Sequence, residues 1–132
     1  MVGLDTNVLV RLLTRDDAAQ LRRAEALVRT RCRPDDPGWI SLVVLCELVW
    51  VLEGAYGYAK ADIARALEAL LRMPSLQVEH EPLVAKAIRA WRGASFDFAD
   101  AVIAVRNRNE GCVTTHTFDR KAAKQEGFSP VP

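Results

Sequence analysis

Short apolar stretches that read as strands alternate along this chain with helical patterns of ten or more residues, and that alternation leaves few folds open to it. Val2-Gly3-Leu4 runs into the helical spacing Val8, Leu9, Leu12, Leu13, and Trp39-Ile40-Ser41 runs into an apolar helix ending near Gly54 or Gly57. Leu76 to Val78 precedes a helix that opens at Pro82 and carries Val84, Ala87, Ile88 and Trp91 on one face. Between these units lie a helix from about Asp17 to Arg31 and an amphipathic helix from Lys60 to Met73, the latter stopped by Pro74. After the Gly93-Ala94-Ser95 break come a helix from Phe98 to Arg108, a strand at Cys112 to Thr115, a short helix from Asp119 to Gln125 and an edge strand at Phe128 to Val131. Parallel strands need a crossover of a dozen or so residues, usually a helix, so the order implies βαβ units and a parallel sheet covered on both faces.

With 132 residues, half of them hydrophobic, the chain is expected to form a single domain over 1–132 with a real core. Its longest apolar run, Trp39 to Leu52, is interrupted by Ser41 and Glu47 and falls short of the roughly 20 residues a membrane helix needs. No secretory leader pattern precedes Val2, so a cytoplasmic location without membrane contact is expected. Cys32, Cys46 and Cys112 are odd in number and lack CxxC spacing, which argues against disulfides and thiolate zinc. All three are expected as reduced thiols, with Cys46 in the core. The net charge of +1 does not demand a nucleic-acid partner, but between Arg11 and Arg33 seven arginines face three acids, a local excess of four. Arg106, Arg108, Arg120, Lys121 and Lys124 form a second basic group. Such groups suit either solvated helix faces or phosphate contact.

The acidic residues are placed more tellingly. Asp5, Glu47, the pair Asp97/Asp100 and Asp119 each fall where a strand runs into a helix or on that helix's first turns. In a parallel α/β sheet those junctions share one edge, the edge where ligands bind. Converging carboxylates repel and raise one another's pKa, so such a cluster calls for a cation, and a set of carboxylate oxygens favours Mg²⁺ or Mn²⁺. Glu47 is the only charge in Leu42 to Leu52, a stretch apolar all round and therefore expected to be buried. Asp5, Asp97 and Asp119 also suit plain helix capping, and Asp97 with Asp100 has the spacing of a capping box. His80 and His116 lack metal spacing; His80 reads as structural or exposed, and His116 lies near the acidic positions without a ligand's spacing. No Gly-rich phosphate loop, nucleophile elbow or Cys/His nucleophile pair is present.

Asp5-Thr-Asn7 after the first strand, Glu47 in its apolar helix, Phe96-Asp-Phe-Ala-Asp-Ala-Val-Ile-Ala104 and Thr117-Phe-Asp119-Arg occur in an order and spacing that resembles PIN-domain proteins. The chain as a whole looks like the VapC toxins of bacterial and archaeal toxin–antitoxin pairs. The resemblance implies a three-layer α/β/α sandwich around a central parallel sheet and an acidic site that binds Mg²⁺ or Mn²⁺ and cleaves RNA. By position, Asp5, Glu47 and Asp100 match the family's core acids, Asp119 its more variable fourth, and Asp97 an acid found in some members. Asn7 and Thr117 match polar residues that support the cluster. The resemblance also implies a homodimer blocked by a small VapB-type antitoxin.

Chemistry permits the same reading directly. Ions held by Asp5, Asp100 and Asp119, with Glu47 on a second ion or on the water, suit hydrolysis of a phosphodiester. A Mg²⁺-binding phosphoacceptor receiver domain would want paired acids after the first strand, where only Asp5 stands. A phosphatase using Asp5 as nucleophile would want an Asp where Asn7 stands. A non-catalytic PIN-fold module that binds RNA or protein is the remaining alternative.

Overall fold

The computed structural model describes all 132 residues and divides into two compact units, Met1–Glu81 and Pro82–Pro132. In the first, β1 (Val2–Gly3), β2 (Gly38–Ile40) and β3 (Leu76–Val78) form a parallel sheet in sequence order, with Val2 opposite Gly38 and Gly38 opposite Leu76. The crossovers between them are α1 (Thr6–Thr14) with α2 (Ala18–Arg31), and α3 (Leu42–Gly54) with α4 (Lys60–Arg72). Apolar spacing decides what each helix buries: Leu9 and Val10 on α1, Leu45, Leu48, Val49 and Leu52 on α3, Ile63, Ala64, Leu67 and Leu70 on α4. α1 packs on α2 and α3, and α4 on α3 and β3.

Gly38 marks how tightly this sheet is covered. A Cβ there would come within 2.8 Å of Cys32 Sγ and 3.1 Å of a methyl carbon on each of Leu4 and Leu76, so only glycine fits. Cys32 is consequently the core thiol, and burial pushes its pKa up. Cys46, expected in the core, is only half-buried, because it lies toward the edge of the α3 face that buries Leu45, Leu48 and Val49. All three cysteines are free.

The second unit contains α5 from Pro82 onward (Glu81–Arg92 in full), α6 (Phe98–Asn109), and the parallel pair β4 (Thr115–Thr117) and β5 (Phe128–Pro130), joined by a 3₁₀ turn at Ala122–Lys124. Edge-to-face ring pairs, Trp91 with Phe98 at 5.5 Å and Phe96 with Phe128 at 6.1 Å between centroids, anchor its core. β4 lies three residues later than the sequence suggests at its start. Gly111, at φ 96°, ends α6 with its N–H on the Arg108 carbonyl while the Cys112 N–H reaches back to the Asn107 carbonyl. That double closure is a Schellman motif, and it uses up the residues that otherwise read as the strand's beginning. All the ladders are parallel, as the alternation requires. No helix is long and apolar enough to cross a membrane.

Candidate active site

Two acidic groups are built by local chemistry, one in each unit. In the Met1–Glu81 unit the sheet register carries on past the strand ends: the Leu4 N–H donates to the Trp39 carbonyl at 2.9 Å and the Glu79 N–H to the Ile40 carbonyl at 2.8 Å. Asp5, Ser41 and Glu79 therefore leave the carboxyl ends of β1, β2 and β3 side by side. Asp5 is the N-cap residue of α1 in extended conformation, yet its carboxylate makes no capping bond and stays exposed. Ser41 caps α3 in the ordinary way, its Oγ accepting from the Val44 N–H at 3.3 Å. Glu79 Oε2 accepts from the Leu42 N–H at 3.0 Å, so an acid from the next strand satisfies α3's first amide.

Glu47 departs from expectation. It is exposed, because positions 43, 47 and 50 share one helix face that also leaves Val43 70% and Trp50 63% accessible. An apolar run all round the helix does not guarantee burial all round it. Glu47 is nevertheless held in place: Thr6 Oγ1 donates to its Oε1 at 3.3 Å, which ties the second turn of α3 to the residue directly after Asp5. Thr6 is 5% exposed and is the one polar side chain in the buried set. It is the residue that sequence reasoning passed over, although its place between Asp5 and Asn7 was a signal. Asn7 itself is exposed and lines a hollow of about 370 Å³ between α1 and α2, beside Arg11 and Arg23.

In the Pro82–Pro132 unit, Asp97 is the N-cap of α6 and Asp100 stands in its first turn. The capping box is only half realised. Asp97 makes no side-chain cap bond, whereas Asp100 interacts with the Asp97 backbone N–H, which by itself would favour its charged form. The balance goes the other way: burial first, then the negative charges of Asp97 and Asp119 and a side-chain hydrogen bond with Asp97, raise the Asp100 carboxyl above the usual carboxylate range. Asp119 reaches this group from the end of β4. Its N–H donates to Thr117 Oγ1 at 3.0 Å, and its Oδ1 accepts from the Lys121 and Ala122 N–H groups at 2.8 and 3.0 Å. Capping thus occupies one oxygen of Asp119. No three His, Cys, Asp or Glu side chains come close enough together to hold a metal ion by themselves. The carboxylates of the second unit are near enough to repel, not near enough to close a ligand cage.

The remaining expectations sort cleanly. His116 Nδ1–H donates to the Pro130 carbonyl at 3.2 Å, and His80 is exposed at φ 49°. Several basic residues are paired: Arg11 with Asp16, Arg15 with Glu25, Arg33 with Asp35, Arg106 with Glu110 and Arg108 with Glu126. Arg22, Arg23, Arg120, Lys121 and Lys124 are exposed and form no salt bridge.

The PIN domain family matches residues 2–127. This chain belongs to the PIN domain family. The match runs from β1 to the eve of β5 and takes in every acid of both groups. It bears out the α/β class with parallel strands read from the alternation of elements. A similar curated protein, the VapC ribonuclease of Aquifex aeolicus strain VF5, is 26% identical over 128 residues, covering 97% of this PIN-domain chain and 93% of its own. Among solved structures, the chain resembles Mycobacterium tuberculosis VapC20, a sarcin–ricin-loop-cleaving toxin, with TM-score 0.46, 20% identity and coverage of 98% and 100% of the two chains. It also resembles VapBC2 of Rickettsia felis bound to a DNA fragment from its promoter, with TM-score 0.39, 18% identity and coverage of 99% and 98%.

Proposed function

We propose that this PIN-domain protein is a Mg²⁺- or Mn²⁺-dependent endoribonuclease, the toxin of a VapBC-type pair, acting as one domain over 1–132. The observation that carries the reading is the group in the second unit: burial first, and then the charges of Asp97 and Asp119, raise the Asp100 carboxyl, and Asp97 leaves its own helix uncapped by its side chain. A fold gains nothing from such repulsion unless a cation offsets it. Family membership and likeness to a relative named VapC ribonuclease support RNA as the substrate class.

The donor set is all oxygen, as a hard cation wants, and Mg²⁺ commonly binds through one or two carboxylates plus waters and substrate phosphate. In the second unit Asp97 and Asp100, with the free oxygen of Asp119, fit that demand, and in the first unit Asp5 and Glu47 are the acids that the PIN resemblance marks. A bound divalent ion would lower the pKa of a water and offset charge on the leaving oxygen. The protein's part is positional. Asp100 and Asp119 would hold the ion, with Thr117 fixing the Asp119 loop, and Glu47, fixed by Thr6, would serve as a further acid on a second ion or on the water. Water adds to phosphorus and the P–O3′ bond breaks, leaving a 5′-phosphate and a 3′-hydroxyl, with the proton passing to the leaving oxygen. A homodimer and a VapB-type antitoxin partner complete the proposal by likeness to VapC proteins, and the exposed Val43 and Trp50 offer apolar surface for an assembly.

The test is cleavage of 5′-labelled total RNA with Mg²⁺, Mn²⁺ or EDTA beside Asp5→Asn and Asp100→Asn proteins purified identically. Discrete metal-dependent products that vanish in both folded variants support the reading. Cleavage that survives both substitutions, or none by the parent, overturns it in favour of a binding module.

A further inference from the structure

We propose that Phe118 is a stacking platform for an unpaired base of the RNA substrate, with Arg120 and Lys124 gripping the adjoining phosphates. The inference deepens the ribonuclease reading and rests on it for the identity of the ligand. Phe118 stands between Thr117, the last residue of β4, and Asp119, and it is 89% exposed. A ring so placed contributes nothing to the core. The backbone that carries it is nonetheless fixed. The Asp119 N–H bond to Thr117 Oγ1 spans it, and the two amide bonds to Asp119 Oδ1 pin the chain just after it.

Phe118 borders a hollow of about 340 Å³ that it shares with Asp119, Arg120, Ala123, Lys124 and Pro130. The two cations of that hollow form no salt bridge, whereas Arg106 and Arg108 in the same unit are paired with Glu110 and Glu126. An aromatic face beside unneutralised Arg and Lys is the combination that holds single-stranded nucleic acid: the ring takes the base and the cations track the backbone. A base stacked on Phe118 carries its phosphate along the wall that Asp119 lines, which places the strand beside one of the candidate catalytic acids. Stacking requires an unpaired base, and it tolerates all four, since each has a π-face. The occupant is therefore a flexible or looped RNA strand, and base identity is not read at this position.

The proposal is tested by fluorescence anisotropy in EDTA, with RNA integrity checked on a gel. The probes are labelled oligo(U) and an abasic ribose-phosphate oligomer of equal length. The parent is expected to prefer oligo(U). Phe118→Ala weakens oligo(U) binding about tenfold and erases the preference, while Phe118→Trp restores both. Arg120→Ala and Lys124→Ala weaken both oligomers alike and each lowers the salt slope by about one. Unchanged thermal transitions in these exposed-site variants show that the fold is intact. Equal affinity of parent and Phe118→Ala for oligo(U) overturns the proposal, and loss of self-association in that variant would then make Phe118 a protein contact. Phe118-dependent RNA binding by a parent that cleaves nothing upholds the platform and overturns the ribonuclease reading alone.

Discussion

Acidic side chains in the Met1–Glu81 unit mostly hold backbone and neighbours in place. Glu79 accepts from the first amide of α3, Asp17 from the Gln20 N–H at the start of α2, and Asp16 from the Tyr56 hydroxyl at 2.7 Å. In the Pro82–Pro132 unit the Asp97 carboxylate declines the cap its position offers and Asp100 sits half-buried against two like charges. The pKa directions record the contrast. Asp16 lies below the ordinary carboxylate range, chiefly through its hydrogen bonds from Tyr56 and Thr14, and Asp100 lies above it through burial and repulsion. Where a carboxylate stabilises its own surroundings, the fold explains it. Where it destabilises them, a ligand that would offset the charge is the proposal to test.

The sharpest way to break this contrast is Asp100→Asn. It is expected to lower RNA cleavage about 10²- to 10⁴-fold, the usual scale for a lost acid–base or ion-orienting group, while the melting temperature in EDTA stays level or rises as repulsion is relieved. A fall in melting temperature would make Asp100 structural. Next in size are the two glycines that crowding dictates. Gly38→Ala must push against Cys32, Leu4 and Leu76 and is expected to cost about 1–3 kcal/mol in urea unfolding. Gly127→Ala faces Ala104 Cβ at 3.1 Å from a φ of 92° and is expected to cost a similar amount, and unequal midpoints would rank the tolerance of the two units.

Glu79→Ala should remove about 0.5–2 kcal/mol, the scale of a helix cap, and leave kcat unchanged, as a structural carboxylate must. A loss of kcat instead would move Glu79 into the chemistry. The smallest effect concerns Asp16. A depressed folded-state pKa stabilises above the ordinary carboxylate value and loses that benefit as pH falls through the lower one. The gap in melting temperature between parent and Asp16→Asn should therefore be open at pH 7 and close toward pH 2. A constant gap would show that the hydrogen bonds matter without the charge.

Most of the element order was legible because strands bounded by breakers and helices with 3.6-residue spacing announce themselves locally. What sequence left hidden depends on partners distant along the chain. Glu47 reads as buried from its neighbours in α3, but which face of that helix is covered depends on α1 and α4. Cys46 reads as the core thiol, yet it is Cys32 that packs against Gly38 of β2. The start of β4 was misread because Gly111 closes α6 with bonds no composition reveals. Of the candidate site, the acids stand out by residue type and position. The tie from Thr6 to Glu47 required the hydrogen bond itself, while Asp119 as a cap and Thr117 as a supporting residue could be read from position and resemblance.

The Glu79 carboxylate reaches the Leu42 amide across 37 residues of sequence. That amide is among the four at a helix start that the helix cannot satisfy, and fraying would ordinarily open it to solvent. Here its protection requires β3 to be paired with β2. Deuterium uptake at Leu42 should accordingly track the opening of the sheet, so that one backbone proton at the head of a helix reports whether two distant strands are joined.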